Sequence, residues 1–210
     1  MDWAGRAAEA IGRYRRGAMR EADQRQLTQL ANSAWAAGLL LLMAGHREAS
    51  RDWLRHAAAR YRDSWEAGAP ADSWGRPIAA MKSLLLAGDD ASPAARWALD
   101  AGAADAESPI GRYAGTLALL VLGEDAAALT LAGTLRDRDD FPGPVAAALF
   151  ALAGADAAGY RSAVGEILAS FEERSDFLED VPIADTVLVL QALATPRGFA
   201  ADLPASGHLP

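Results

Sequence analysis

Apolar residues recur along this chain at three- and four-residue spacing, in blocks that each stop at a glycine. The stretches "LLMAGHREAS" from Leu41, "LLLAGDDASP" from Leu84, "LLVLGEDAAA" from Leu119 and "FALAGADAAG" from Phe150 align with Gly45, Gly88, Gly123 and Gly154 in one column. A glycine just past an amphipathic run is the usual C-terminal cap, because a residue without a Cβ enters the left-handed conformation cheaply. The acids that follow, among them Asp89, Asp90, Glu124, Asp125 and Asp156, suit the start of the next helix. Each copy therefore predicts helix, tight turn, helix.

A second phrase marks where hairpins begin: "RPIA" at Pro77, "SPIG" at Pro109, "GPVA" at Pro144 and "VPIA" at Pro182, spaced 32, 35 and 38 residues apart. Proline suits the first helical turn, where its missing N–H would have had no partner. The pattern predicts an N-terminal helix over 3–20, hairpins over 24–66, 74–102, 109–137 and 143–174, a last helix over 182–195, an irregular tail over 196–210 and no strands. The fold class expected is all-α: one domain, an array of about ten helices in antiparallel hairpins. The hairpins' first helices are expected to line a concave face, the usual binding surface of such arrays.

The repeat period, the glycine at the turn and the proline opening the next helix resemble tetratricopeptide repeats. After Gly45, Ala57 and Tyr61 fall at that family's small and aromatic positions of the second helix, whereas Leu135 and Glu166 stand where a small residue belongs in later copies. That resemblance implies a superhelix that binds other proteins; an unrelated helical array with similar turns is the alternative. A second resemblance rests on "NSAWAAGLLLLMAG", "DAAGYRSAVGEILASFEERSDFL", "RGFAADLP" and the closing "HLP". In order and pattern these are similar to helical immunity proteins of bacterial polymorphic toxin systems, although the long N-terminal part of those proteins has no counterpart here. This second resemblance implies neutralisation of a toxin by binding, with no catalytic residues to carry over.

Composition agrees with an all-helical chain. Alanine, the best helix former, makes up about a quarter of the sequence, and Lys82 is the single lysine. Cysteine is absent, which excludes disulfides, thiolate metal sites and a cysteine nucleophile and fits a reducing compartment; cytoplasmic residence is the expectation. The most apolar run, Ala34 to Gly45, falls short of the roughly 20 residues a membrane span needs. Charge is segregated: residues 1–62 hold 11 arginines against 6 acids, and residues 63–210 hold 9 bases against 22 acids. Phosphate would be repelled by the acidic remainder, so neither nucleic acid nor membrane is an expected partner.

Candidate chemistry is sparse. His46 and His56 lie ten residues apart on one predicted helix, about 15 Å along its axis, too far to share a metal. The acids of "DRDD" at Asp137 to Asp140 precede a turn, and "EERSDFLED" lacks calcium-loop spacing. Convergence of several of Asp137, Asp139, Asp140, Glu172 and Asp185 in one cleft would favour an enzyme instead. No phosphate loop, nucleophile elbow or cofactor motif is present, so no cofactor or metal is expected. The residues chosen for the concave binding face are Asn32, Lys82, Arg112, Thr116 and Gln191, polar positions inside otherwise apolar first helices. On the first helix, Arg6, Arg13, Arg16 and Arg20 share one side, opposite a core stripe of Trp3, Ala7, Ile11, Tyr14 and Ala18. They read either as a solvated face or as a docking face for an acidic protein. The chain is thus expected to be a non-catalytic protein-binding repeat protein whose partner is another protein, a toxin domain being one case. The alternative is a sensor that takes a peptide or small molecule in the groove. Homodimerisation through "IADTVLVLQALA" is open if the tail leaves that helix uncovered.

Overall fold

Glycine turns and proline starts set the helix order in the computed structural model, which describes residues 1–19 and 22–210. Ten α-helices lie among the described residues: α1 (Trp3–Ala18), α2 (Gln24–Met43), α3 (Arg47–Glu66), α4 (Gly75–Ala87), α5 (Ser92–Asp100), α6 (Pro109–Leu122), α7 (Asp125–Arg136), α8 (Gly143–Ala153), α9 (Ala157–Glu173) and α10 (Asp185–Ala194). No strand occurs among the described residues. The all-α array of hairpins is as the sequence implies.

The turns share one hydrogen-bond pattern with a displaced fourth copy. Gly45, Gly88 and Gly123 adopt φ of 80°, 74° and 74°. The residue after each donates back across the helix end, His46 to Leu41 O, Asp89 to Leu84 O and Glu124 to Leu119 O. In the fourth copy Gly154 stays right-handed with φ −84°. The left-handed position falls instead on Ala155, at φ 54°, and the closing bond runs from Asp156 N to Ala151 O. The left-handed turn therefore sits one residue beyond the glycine, and an alanine takes the strained position.

The proline rule also shifts between copies. Pro109 opens α6 and Pro144 is the second residue of α8, but Pro77 is the third residue of α4. Pro182 precedes α10 altogether, and the Ala184 N–H beyond it is taken by His208 O of the tail at 2.9 Å. The tail thus supplies the acceptor for the N–H just before the last helix, which starts at Asp185 and not at 182.

Packing departs further from an open superhelix. Successive hairpins pack as neighbours, with α4, α6, α8 and α10 on the inside, and α10 then packs back against α4. The inner helices thereby close on one another and fill the concave face that an open array would leave exposed. On α6 every residue from Tyr113 to Leu120 is buried, so that helix is covered on all sides. Close approach is provided by Gly115, whose absent Cβ would lie 2.9 Å from the backbone of Ala103 and Ala104. Outside this ring, Trp65 of α3 meets Trp97 of α5 edge-on at 5.5 Å and Trp74 at 6.2 Å, joining three consecutive helices.

The tail packs over the last helix. Phe199 meets Tyr160 edge-on, Ala201 is buried, and His208 stacks on Phe177 with its ring Nδ1 2.7 Å from Pro182 O. With α4 on one side and the tail on another, α10 does not offer the uncovered apolar face that dimerisation through it would require.

Candidate functional site

Ring closure brings the single lysine against a lone carboxylate. Lys82 is placed by α4, where the only other charge is Arg76 in the first turn, and Asp185 by the first turn of α10, of which it is the single charge. Their side chains are 12% and 14% exposed, and Lys82 Nζ lies 2.5 Å from Asp185 Oδ2. Nζ also donates to Thr186 Oγ1 at 3.1 Å. Burial disfavours the ammonium, but the neighbouring carboxylate outweighs it, so the Lys82 pKa is raised above its ordinary value. The Lys82 side chain therefore stays an ammonium across the physiological range.

Two cavities flank this pair. On one side a cleft of about 320 Å³ is lined by Lys82, Tyr113 and Thr186 below, Pro109 and Ile110 from α6, and Asp140, Phe141, Pro142 and Val145 from the α7–α8 turn and α8. On the other, a cavity of about 260 Å³ lies between Trp35, Phe171, Phe177 and the segment leading into α10. Burial raises the Tyr113 pKa, so its hydroxyl remains a protonated donor. Tyr113 and Phe141 rings stand 5.6 Å apart and form one wall. At the mouth Ile110 is 44% exposed, a large apolar side chain left in water beside the opening.

The segments that bring Pro109, Ile110 and Asp140 to the cleft are acidic: residues 105–110 and 137–142 hold Asp105, Glu107, Asp137, Asp139 and Asp140 against Arg138 alone. Arg138 forks onto Asp140 with both bonds at 2.7 Å, and that hydrogen bonding holds the Asp140 carboxyl below its ordinary range. Asp140 is the one acid of "DRDD" lining the cleft; Asp137 and Asp139 are exposed. Among the described residues, no three His, Cys, Asp or Glu side chains are grouped to hold a metal ion.

Of the residues chosen from sequence for a shared binding face, only Lys82 lines this cleft. Asn32 accepts from Tyr61 Oη at 2.8 Å and ties α2 to α3. Arg112 donates to Ala106 O at 3.1 Å. Thr116 is fully buried and bonds Arg112 O of its own helix, so it lines no surface. Gln191 accepts from Tyr160 Oη and Ala201 N and donates to Ala201 O, which pins the tail. These four stabilise the interior or its covering and do not converge.

The α1 arginines divide as well. Arg6 donates to Asp180 O, and Arg13 pairs with Glu179 at 3.3 Å; both thus hold the segment between α9 and α10. Glu179 and Asp180 each adopt positive φ, 54° and 55°, strained values for residues with a Cβ. Arg16 is exposed and makes no ion pair among the described residues, and Arg20 lies outside the described residues. His56 is exposed beside Tyr14 and Trp53, with ring centroids 6.1 and 5.5 Å away.

Asp185, Thr186, Tyr113 and Ile110 were not selected as binding residues from sequence. A signal for the first was available: a lone lysine in one apolar helix and a lone carboxylate in another are expected to meet when both are buried. No helix among the described residues is long and apolar enough to cross a membrane. Comparison with protein-family models, curated proteins and solved structures finds no match.

Proposed function

We propose that the protein is a non-catalytic binding protein whose partner is another protein with a basic surface, docked over the cleft above Lys82. The observation that carries this reading is the mouth itself: an exposed Ile110 and an apolar cleft edged by Asp140, formed by two chain segments that together carry five carboxylates and one arginine. Apolar anchors in a desolvated pocket supply affinity, while the charged rim supplies on-rate and choice of partner. Binding and not chemistry is supported because each ionised group that lines the cleft is already paired, Lys82 with Asp185 and Asp140 with Arg138. A toxin domain held by an immunity-type inhibitor is the case that the family resemblance suggests, and a basic toxin surface would complement this rim.

The same cleft, at about 320 Å³, lies at the small end of the range for organic ligands. That volume favours the second reading, a sensor for a small molecule, whose mark would be a ligand-dependent rise in melting temperature.

The test is capture of partners from the source organism's lysate by the purified full chain, alongside the Ile110→Glu variant. Ile110 is surface-exposed, so the substitution should change folding stability by no more than about 0.5 kcal/mol. A partner retained by the native chain, released as salt rises and lost with Ile110→Glu is the expected result. Equal capture by both chains would remove the docking site from this cleft.

A further inference from the structure

The chemistry of the cleft narrows what can enter it. Resting on the docking reading above, we infer that the partner inserts an uncharged apolar side chain together with a neutral carbonyl acceptor, and neither a carboxylate nor an ammonium. Three observations converge on this class of anchor.

Hydrogen-bond accounting supplies the first. An ammonium carries three N–H donors. Asp185 Oδ2 and Thr186 Oγ1 take two from Lys82, and no third acceptor is present among the described residues. Tyr113 is 8% exposed and lines the cleft, and its hydroxyl makes no hydrogen bond to protein among the described residues. Two donors on the floor therefore have no protein acceptor and face the open cleft, and a group that fills the cleft and shuts out water would leave them costly unless it supplied an acceptor. The anchor must bring an acceptor.

Charge supplies the second. Lys82 and Asp185 cancel each other, and at the rim Arg138 is taken up by Asp140. An entering carboxylate would be stripped of water without gaining a free counter-ion, and it would pass Asp140 on the way. An entering ammonium would meet Lys82 at the floor. A carbonyl oxygen satisfies both donors without adding charge. The walls supply the third observation: Pro109, Ile110, Phe141, Pro142 and Val145 offer apolar surface for the body that carries the acceptor.

The experiment titrates the full chain with three matched probes, followed by methyl NMR at Ile110 and Val145. N-acetylphenylalaninamide carries the neutral acceptors, N-acetylphenylalanine the carboxylate, and phenylalaninamide the ammonium. Saturable shifts of both methyl groups with the neutral amide are expected, with affinities about tenfold weaker for the acid and the amine. That ratio corresponds to about 1.4 kcal/mol. Tyr113→Phe should weaken the amide roughly fivefold and leave the acid unchanged. Acid binding as tight as the amide, or no shift with the amide up to its solubility limit, would overturn the inference. The two proposals fail separately. Loss of capture with Ile110→Glu but no amide binding retires only the anchor chemistry, whereas amide binding with undiminished capture by Ile110→Glu retires the docking site.

Discussion

Removing the carboxylate of Asp185 should unsettle the whole ring. In Asp185→Ala the Lys82 ammonium stays where it is, 12% exposed and with Thr186 as its remaining partner. Breaking a buried pair from one side costs about 3–5 kcal/mol, because an uncompensated charge is left in a poor solvent. For a chain of this length about 1 kcal/mol moves the midpoint by roughly 2–4 °C, so the melting temperature should fall by about 6–20 °C. Lys82→Met, which strands the carboxylate instead, should cost a similar amount. The double variant Lys82→Met/Asp185→Ala removes both charges, and what remains is chiefly the lost acid at the α10 N-terminus, worth about 0.3–1 kcal/mol. It should therefore be more stable than either single variant. Urea unfolding followed by circular dichroism, with all four chains sharing one m-value, measures this coupling directly. A cost below about 1 kcal/mol for Asp185→Ala, or a double variant losing the sum of the two singles, would refute the argument. The prediction also departs from a simpler expectation. Read as a docking residue, Lys82 could be replaced by alanine with the thermal midpoint nearly unchanged; as half of a buried pair it cannot.

Gln191→Ala should release the tail: three hydrogen bonds to Tyr160 and Ala201 are lost, at about 0.5–1.5 kcal/mol each, and amide exchange over 199–208 should accelerate while α6 stays protected. Asp89 responds to acid. The hydrogen bond from Arg55 holds its carboxyl below the ordinary 3.8, so the stability it contributes is present above that value and is lost as pH falls through the lowered one. The urea midpoint of the native chain should therefore drop more steeply below pH 4 than that of Asp89→Asn, and parallel acid limbs would exclude a role for this pair.

Local features of the fold were legible and long-range ones were not. The helices follow from glycine turns, proline starts and three- to four-residue apolar spacing, all of which act within a few neighbours. Even there Gly154 misled by one residue, because the left-handed position can fall beyond the glycine when an alanine accepts it. Ring closure is different in kind. The contact of α4 with α10 joins segments far apart in sequence, and the one hint of it is the pairing of Lys82 with Asp185, which shows only when the two helices are read together. Reading Thr116 and Gln191 as surface polar groups failed for a related reason. A polar residue in an apolar helix is as often one buried with its partner supplied, here by the helix's own carbonyl or by the tail. The cleft was half visible: Lys82 was singled out, while its mouth at Ile110 and its wall at Tyr113 depend on which side of α6 faces the ring.

Closure of the inner layer also fixes how many hairpins the molecule can hold. An open array tolerates the gain or loss of a unit, because each hairpin meets only its immediate neighbours and the ends stay free. Here α10 must arrive at α4 with Asp185 opposite Lys82. A hairpin inserted between α5 and α6, or one deleted, would carry α10 past that station and leave two unlike charges each without its mate. The arrangement behaves like a wheel whose last spoke must meet the first, so change of this architecture is confined to its loops and outer faces, and lengthening by duplication is closed to it.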